Sequence, residues 1–246
     1  MRKLFIPVVI LLLFVLTACA LRKEPAPATA PGKDFYYCLS QGGVSLAESN
    51  PDKAIIQLNE AVTLNPNSSK AHNLLGIAYF QKKDYRLAIK EYEKAIKLDP
   101  SYAQAYNNLG SACFMLGENS RAEEMFMKAI SLSPDLISPH YGLGTLLALQ
   151  GKVEESSHYF NKGIELDPEF LERNPAFVAT FTSGALRNPE VLFIYAKIYA
   201  AAGNVEKAVL YLKNAELAGF KDWDRIAKEK EFDKVREDER IKSFIR

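Results

Sequence analysis

The stretch "AIKLDP", Ala95 to Pro100, has counterparts in "AVTLNP" at 61–66, "AISLSP" at 129–134 and "GIELDP" at 163–168, so its proline returns every 34 residues. A fixed period of this length marks an array of like supersecondary units, not one mixed core. With the proline placed at position 32 of each unit, Gly42, Gly76, Gly110 and Gly144 align at position 8. Position 20 collects Ala54, Ala88, Ala122 and Ser156, and position 27 collects Ala61, Ala95, Ala129 and Gly163. Position 24 carries the large residues Leu58, Tyr92, Phe126 and Phe160. Small side chains at three recurring places let helices approach closely, and one large side chain per unit fills the space between them. The proline stops the second helix of each unit. Between the helices, Asp84 and Asn119 or Ser120 are expected N-caps, while Gly117 and Gly151 suit helix C-termini.

This pattern resembles the tetratricopeptide repeat, a pair of antiparallel helices per unit, over residues 35 to 170 without a gap. The resemblance implies an all-α chain, a right-handed α-solenoid of about five helix pairs closed by a C-terminal capping region. One pair cannot bury its apolar face alone, so the units must stack. A fifth unit at 189–222 restores Tyr195, Ala196, Tyr199, Ala208, Leu212 and Ala215 in register. Between the fourth and fifth units, residues 171–188 are extra. They are either a loop or short helix packing Phe177, Val178 and Phe181 on the array, or an insert that contacts a partner. Residues 223–246 alternate charges with Trp223, Ile226, Phe232, Val235, Ile241, Phe244 and Ile245, the composition of a cap over the last repeat.

The N-terminus has a different character. Arg2 and Lys3 precede the apolar run Leu4 to Leu16, which is too short for a membrane-crossing helix of about 20 residues but has the form of an export signal. It ends in Leu16-Thr17-Ala18-Cys19, which resembles the bacterial lipoprotein box. That resemblance implies removal of residues 1–18, a diacylglycerol on the Cys19 sulfur and, with Ala20 following it, sorting to the outer membrane facing the periplasm. Residues 19–34 then form a Pro/Ala-rich spacer that cannot bury a core. The expected location is the bacterial cell envelope, lipid-anchored.

The composition excludes several kinds of function. Lys and Arg total 31 against 30 Asp and Glu, which leaves no field to attract nucleic acid. Beyond Cys19 only Cys38 and Cys113 remain, and both are expected as buried free thiols. His72 and His140 stand at position 4 of units two repeats apart, too distant to share a metal. No hydrolase, nucleotide-loop or paired-cysteine motif is present. Neither metal nor cofactor is expected, and the protein is read as a binding module and not as an enzyme.

The tetratricopeptide resemblance implies a concave groove lined by first-helix positions 2, 5, 6, 9, 12 and 13, where peptides bind. Here those positions include Lys70, Asn73, Ile77 and Phe80, then Gln104, Asn107, Asn108, Ser111 and Phe114, and in the later units Tyr141, Thr145, Phe193 and Lys197. Asparagine amides both donate to and accept from a peptide backbone, beside aromatic contact area. Asn73, Ile77, Ser138 and Gly142 stand where a family variant that clamps carboxylates has its Lys, Asn and basic pair, so that clamp is absent. The expectation is a tethered scaffold or co-chaperone holding a protein or peptide partner. Its architecture resembles the lipoproteins that assist type IV pilus secretins. An accessory role in polysaccharide export or cell-wall remodelling is the alternative, and an enzyme with a repeat body is the alternative of another class.

Overall fold

In a computed structural model the described residues are 34–174 and 188–245. The signal segment, Cys19 and its spacer, and the insertion residues Phe177, Val178 and Phe181 lie outside them. Eight helices follow one another as four hairpins: α1 (Phe35–Ala47) with α2 (Pro51–Leu64), α3 (Ser69–Gln81) with α4 (Tyr85–Leu98), α5 (Ala103–Met115) with α6 (Asn119–Leu132), and α7 (Ile137–Leu149) with α8 (Val153–Leu166). The short helix α9 (Phe170–Arg173) opens the insertion. A fifth hairpin, α10 (Pro189–Ala201) with α11 (Val205–Leu217), is followed by α12 (Asp224–Lys228), a 3-10 turn at Lys230–Phe232 and α13 (Glu239–Lys242). Each hairpin packs on the next, so the chain is an all-helical solenoid.

The period sets the helix ends. Each second helix in the first four units stops two residues before its proline. The intervening residues Asn65, Asp99, Ser133 and Asp167 have ψ between 88° and 99°, because a proline drives the residue before it out of helical geometry. Inside each unit the chain reverses at position 15, where Ser49, Lys83, Gly117, Gly151 and Gly203 all have positive φ, from 55° to 79°. Glycine adopts this geometry freely, whereas a side chain there is strained. We expect Lys83→Gly to raise stability by about 1 kcal/mol, measured as the shift in urea midpoint, since relief of strain exceeds the extra entropy lost by glycine. At the start of α6 the N-cap is Glu118, not Asn119 or Ser120: Gly117 alone completes the reversal, so the helix begins one residue early. Asp84 is the N-cap of α4, without a side-chain hydrogen bond.

The glycines at position 8 meet the large residue at position 24 of their own unit. A Cβ built on Gly42 would lie 2.5 Å from Leu58, on Gly76 2.5 Å from Tyr92, on Gly110 2.8 Å from Phe126 and on Gly144 3.1 Å from Phe160. The fifth unit uses a smaller pair, Ala196 against Leu212. Cys38 and Cys113 are buried thiols outside any disulfide; Cys38 Sγ donates to Glu60 Oε2 at 3.5 Å, and burial pushes the Cys113 thiol up to about 11. The C-terminal residues Trp223, Ile226, Phe232, Val235, Ile241 and Phe244 join the same buried cluster as α10 and α11, so they seal the last repeat.

Candidate functional site

The first helices of the second and third units, α3 and α5, bring together the middle of the expected binding face. Asn108 Nδ2 donates to Asn73 Oδ1 at 3.0 Å across the two helices, and Asn107 Nδ2 donates to Asn108 Oδ1 at 3.3 Å. Asn73 Nδ2 donates to the hydroxyl of Tyr102 at 3.4 Å. Burial pushes the Tyr102 phenol above its ordinary range, against the opposing effect of the Asn73 hydrogen bond, so its O–H remains available to donate. Tyr102 was not among the residues singled out in the sequence. It lies just ahead of α5, and only the one-unit stagger of the array carries it to Asn73.

These contacts revise the expected roles of the asparagines. Asn73 and Asn107 are only 4% and 9% exposed and spend their amides on neighbours, while Asn108 is half-buried. Two asparagines therefore brace the third, and Asn108 is the one that presents a face outward. Asn107 Oδ1 is buried with no hydrogen-bond partner among the described residues. Around them Lys70 and Gln104 are exposed, and Ile77, Phe80, Ser111 and Phe114 are half-buried. The Ser111 hydroxyl donates to the Asn107 carbonyl at 3.0 Å, and Phe80 meets the ring of Tyr85 edge-on at 5.3 Å.

The expected continuation of the face along later units is closed. Tyr141, Thr145, Phe193 and Lys197 are 1%, 0%, 0% and 5% exposed. Tyr141 turns between helices, stacked on Phe170 at 5.4 Å and against the backbone of Gly163. The Thr145 hydroxyl donates to the Tyr141 carbonyl at 2.8 Å and shares a hydrogen bond with Tyr195. Phe193 stacks on Phe220 with ring centroids 4.3 Å apart, contacts Phe232, and lies under the Arg225 guanidinium at 4.4 Å. Lys197 is paired with Glu229 at 3.0 Å and Glu231 at 3.8 Å, and Arg225 bonds Glu190 and Glu229. The chain's own segment from Trp223 to Phe232 thus lies across positions 2, 5 and 9 of the fifth unit.

The histidines serve the turns. His72 Nε2 contacts the Pro66 carbonyl at 3.0 Å and its Nδ1 the Glu91 carboxylate at 2.7 Å, while His140 Nε2 donates to the Pro134 carbonyl at 2.8 Å. Among the described residues no cluster of His, Cys, Asp and Glu is arranged to hold a metal. Burial holds the His140 imidazole below its ordinary range, and its Nδ1 has no hydrogen-bond partner among the described residues to receive a proton there. The neutral ring is the one that fits. Stability from this group is full above the unfolded imidazole pKa of about 6.5 and falls as the unfolded chain takes up the proton below it. We expect His140→Gln to flatten the loss of urea midpoint between about pH 7 and pH 5 relative to the native chain.

Helix hairpins in series, with part of the first-helix face accessible, define a helical-repeat interaction scaffold. Tetratricopeptide-repeat models match residues 41–91, 78–117, 103–136 and 137–170, together more than half of the chain, which belongs to the tetratricopeptide repeat family. A comparison with curated proteins found no match. Among solved structures the chain is similar to one described as the functional characterization of Pseudomonas aeruginosa pilF, at 20% identity over 82% of this chain and 96% of that one, with TM-score 0.53. It is similar to MamA at 24% identity over 76% and 97%, TM-score 0.50. It is also similar to YrrB, described as a TPR protein with an unusual peptide-binding site, at 19% identity over 76% and 87%, TM-score 0.50. At these identities the likeness shows the fold.

Proposed function

We propose that the protein is a lipid-tethered scaffold of the bacterial envelope that grips a segment of a protein partner on the α3–α5 face. One observation carries this reading. The chain's own polypeptide lies across positions 2, 5 and 9 of the fifth unit, while Lys70 and Gln104 at position 2 of the second and third units stay exposed and Asn108 at position 6 of the third is half-buried. The same surface that receives an internal segment at one end is therefore available to an external one nearer the other. The accessible part is neutral and amphipathic: one lysine, amides and a hydroxyl beside Ile77, Phe80 and Phe114. Such a surface suits an extended peptide held by its backbone and by apolar side chains. The peptide-binding site described for YrrB is consistent with that ligand class. Assembly of a pilus or secretion complex is the setting we propose for the grip, from the lipoprotein box at Cys19 combined with a repeat array.

The test is a photo-crosslinker placed at Gln104 in cells, compared with one at Ile56, which is exposed on α2 away from this face. We expect a discrete adduct at Gln104 that is lost in Asn108→Ala while the helical circular dichroism is retained, with stability lowered by about 1–3 kcal/mol because the buried Asn73 and Asn107 amides each lose a partner. Equal adducts at both sites would remove the assignment. The anchor is tested separately: Cys19→Ser should release the protein from the membrane fraction, and persistence there would favour an uncleaved apolar segment.

A further inference from the structure

Positions 3 and 10 of the later units lie inside the array. They are Ala71 and Ala78, Ala105 and Ala112, Pro139 and Leu146, then Val191 and Ile198, and all of them are buried. The first unit has no preceding unit among the described residues, and there the two positions are Tyr37 and Val44, which are 47% and 45% exposed. Tyr36 beside them is 75% exposed. At about 100° per residue, Tyr36, Tyr37, Ser40, Val44 and Ala47 fall on one contiguous arc of α1, and all five are exposed. The helix Phe35–Ala47 carries no charged residue at all. A terminal repeat in water needs a polar outer face. The far end of the array obeys this by folding Trp223, Ile226 and Phe232 over itself, and among the described residues nothing does the same at the near end.

We propose that this end face rests on the headgroup region of the bilayer that holds the lipid anchor, with the array projecting away from the membrane. The proposal builds on the reading of Cys19 as lipidated. Three arguments select a membrane over other occupants. Only 15 residues, 20–34, separate the anchor from α1, so the face is held near the surface at an effective concentration of about millimolar, and a weak contact suffices. A single exposed helix face offers only a few hundred Å², well short of the roughly 800 Å² per partner of a stable dimer. The spacer itself carries Arg22, Lys23 and Lys33 against Glu24 and Asp34, a slight positive excess that an anionic surface attracts. Tyrosine suits the site, since its ring is apolar and its hydroxyl stays wet at the headgroup level.

The test uses the full-length lipidated protein with an environment-sensitive fluorophore on Val44→Cys, compared with the same label on Leu210→Cys, which is 53% exposed on α11. Cys38 and Cys113 are buried, so labelling in the folded state reports the introduced thiol. The protein is reconstituted in phosphatidylethanolamine/phosphatidylglycerol vesicles containing a nitroxide lipid. We expect quenching at position 44 to exceed that at 210 several-fold, and to drop to the level of 210 when Tyr36 and Tyr37 are both replaced by Asp while the protein still floats with the vesicles. Equal quenching at 44 and 210 in floating protein overturns the docking and leaves the anchor standing. A signal at 44 that follows protein density and ignores the nitroxide overturns it in favour of a second copy. Failure to float overturns the anchor and the docking with it.

Discussion

Lys197→Met should destabilise the protein by about 3 kcal/mol, the largest effect we expect from a single side chain here. Lys197 is 5% exposed and stands between the carboxylates of Glu229 and Glu231, whose side chains are 21% and 8% exposed. Removing one partner of a buried ion pair costs about 3–5 kcal/mol, and here Glu229 keeps Arg225 while the Glu231 carboxylate loses its cation, so the lower end applies; replacing a pair by neutral residues of similar shape is often tolerated. The double variant Lys197→Met, Glu231→Gln, which leaves the Arg225–Glu229 pair in place, should therefore recover much of the loss. Chemical denaturation of the three proteins checks this, with a probe at Trp223, which packs in the same segment. If both variants melt like the native protein, the charges do not fasten the C-terminal segment. The segment would then be held by Phe232, Ile226 and their apolar neighbours alone.

Gly76→Ala should also destabilise, by about 1–3 kcal/mol, although glycine to alanine inside an exposed helix would normally stabilise by about 1 kcal/mol. The added methyl would lie 2.5 Å and 2.6 Å from two ring carbons of Tyr92, a side chain 1% exposed with nowhere to retreat. The hairpin must open to admit it. In a Tyr92→Ala background the same substitution should cost at least 1 kcal/mol less, because the ring that the added methyl would meet is gone. Thermal or urea melts of the four members of this cycle measure the coupling. An additive cycle would show that the close approach of α3 to α4 is not set by this pair.

The hairpins were legible in the sequence because their causes are local and repeat. Pro66, Pro100, Pro134 and Pro168 end the second helices by sterics that act on the preceding residue, and Gly117 and Gly151 turn the chain where φ is positive. Gly76 facing Tyr92 is a spacing of 16 residues in one hairpin, and it recurs in each of the first four units. The N-cap of α6 was misplaced by one residue because several polar residues in a row can each begin a helix.

The candidate face was legible only in part. Repeat register placed Asn73 and Asn108 on neighbouring helices, and they do meet, but register is silent about whether two amides bond each other or a ligand. It also placed Phe193 and Lys197 on the same face as Asn108, and there the structure differs. Their partners, Arg225, Glu229 and Phe232, lie about one unit further on in a segment without the repeat's pattern.

By itself, then, the sequence determined the unit, the proline-set ends of the second helices and the pairing of a glycine with a large residue, since these follow from sterics within some 30 residues that recur four times. Which stretch of the inner face stays accessible, and that Tyr37 and Val44 stand exposed where every later unit buries small or aliphatic residues or proline, only the tertiary structure decided. Burial depends on which distant segment arrives at a surface. No property of the covered residue alone contains that information.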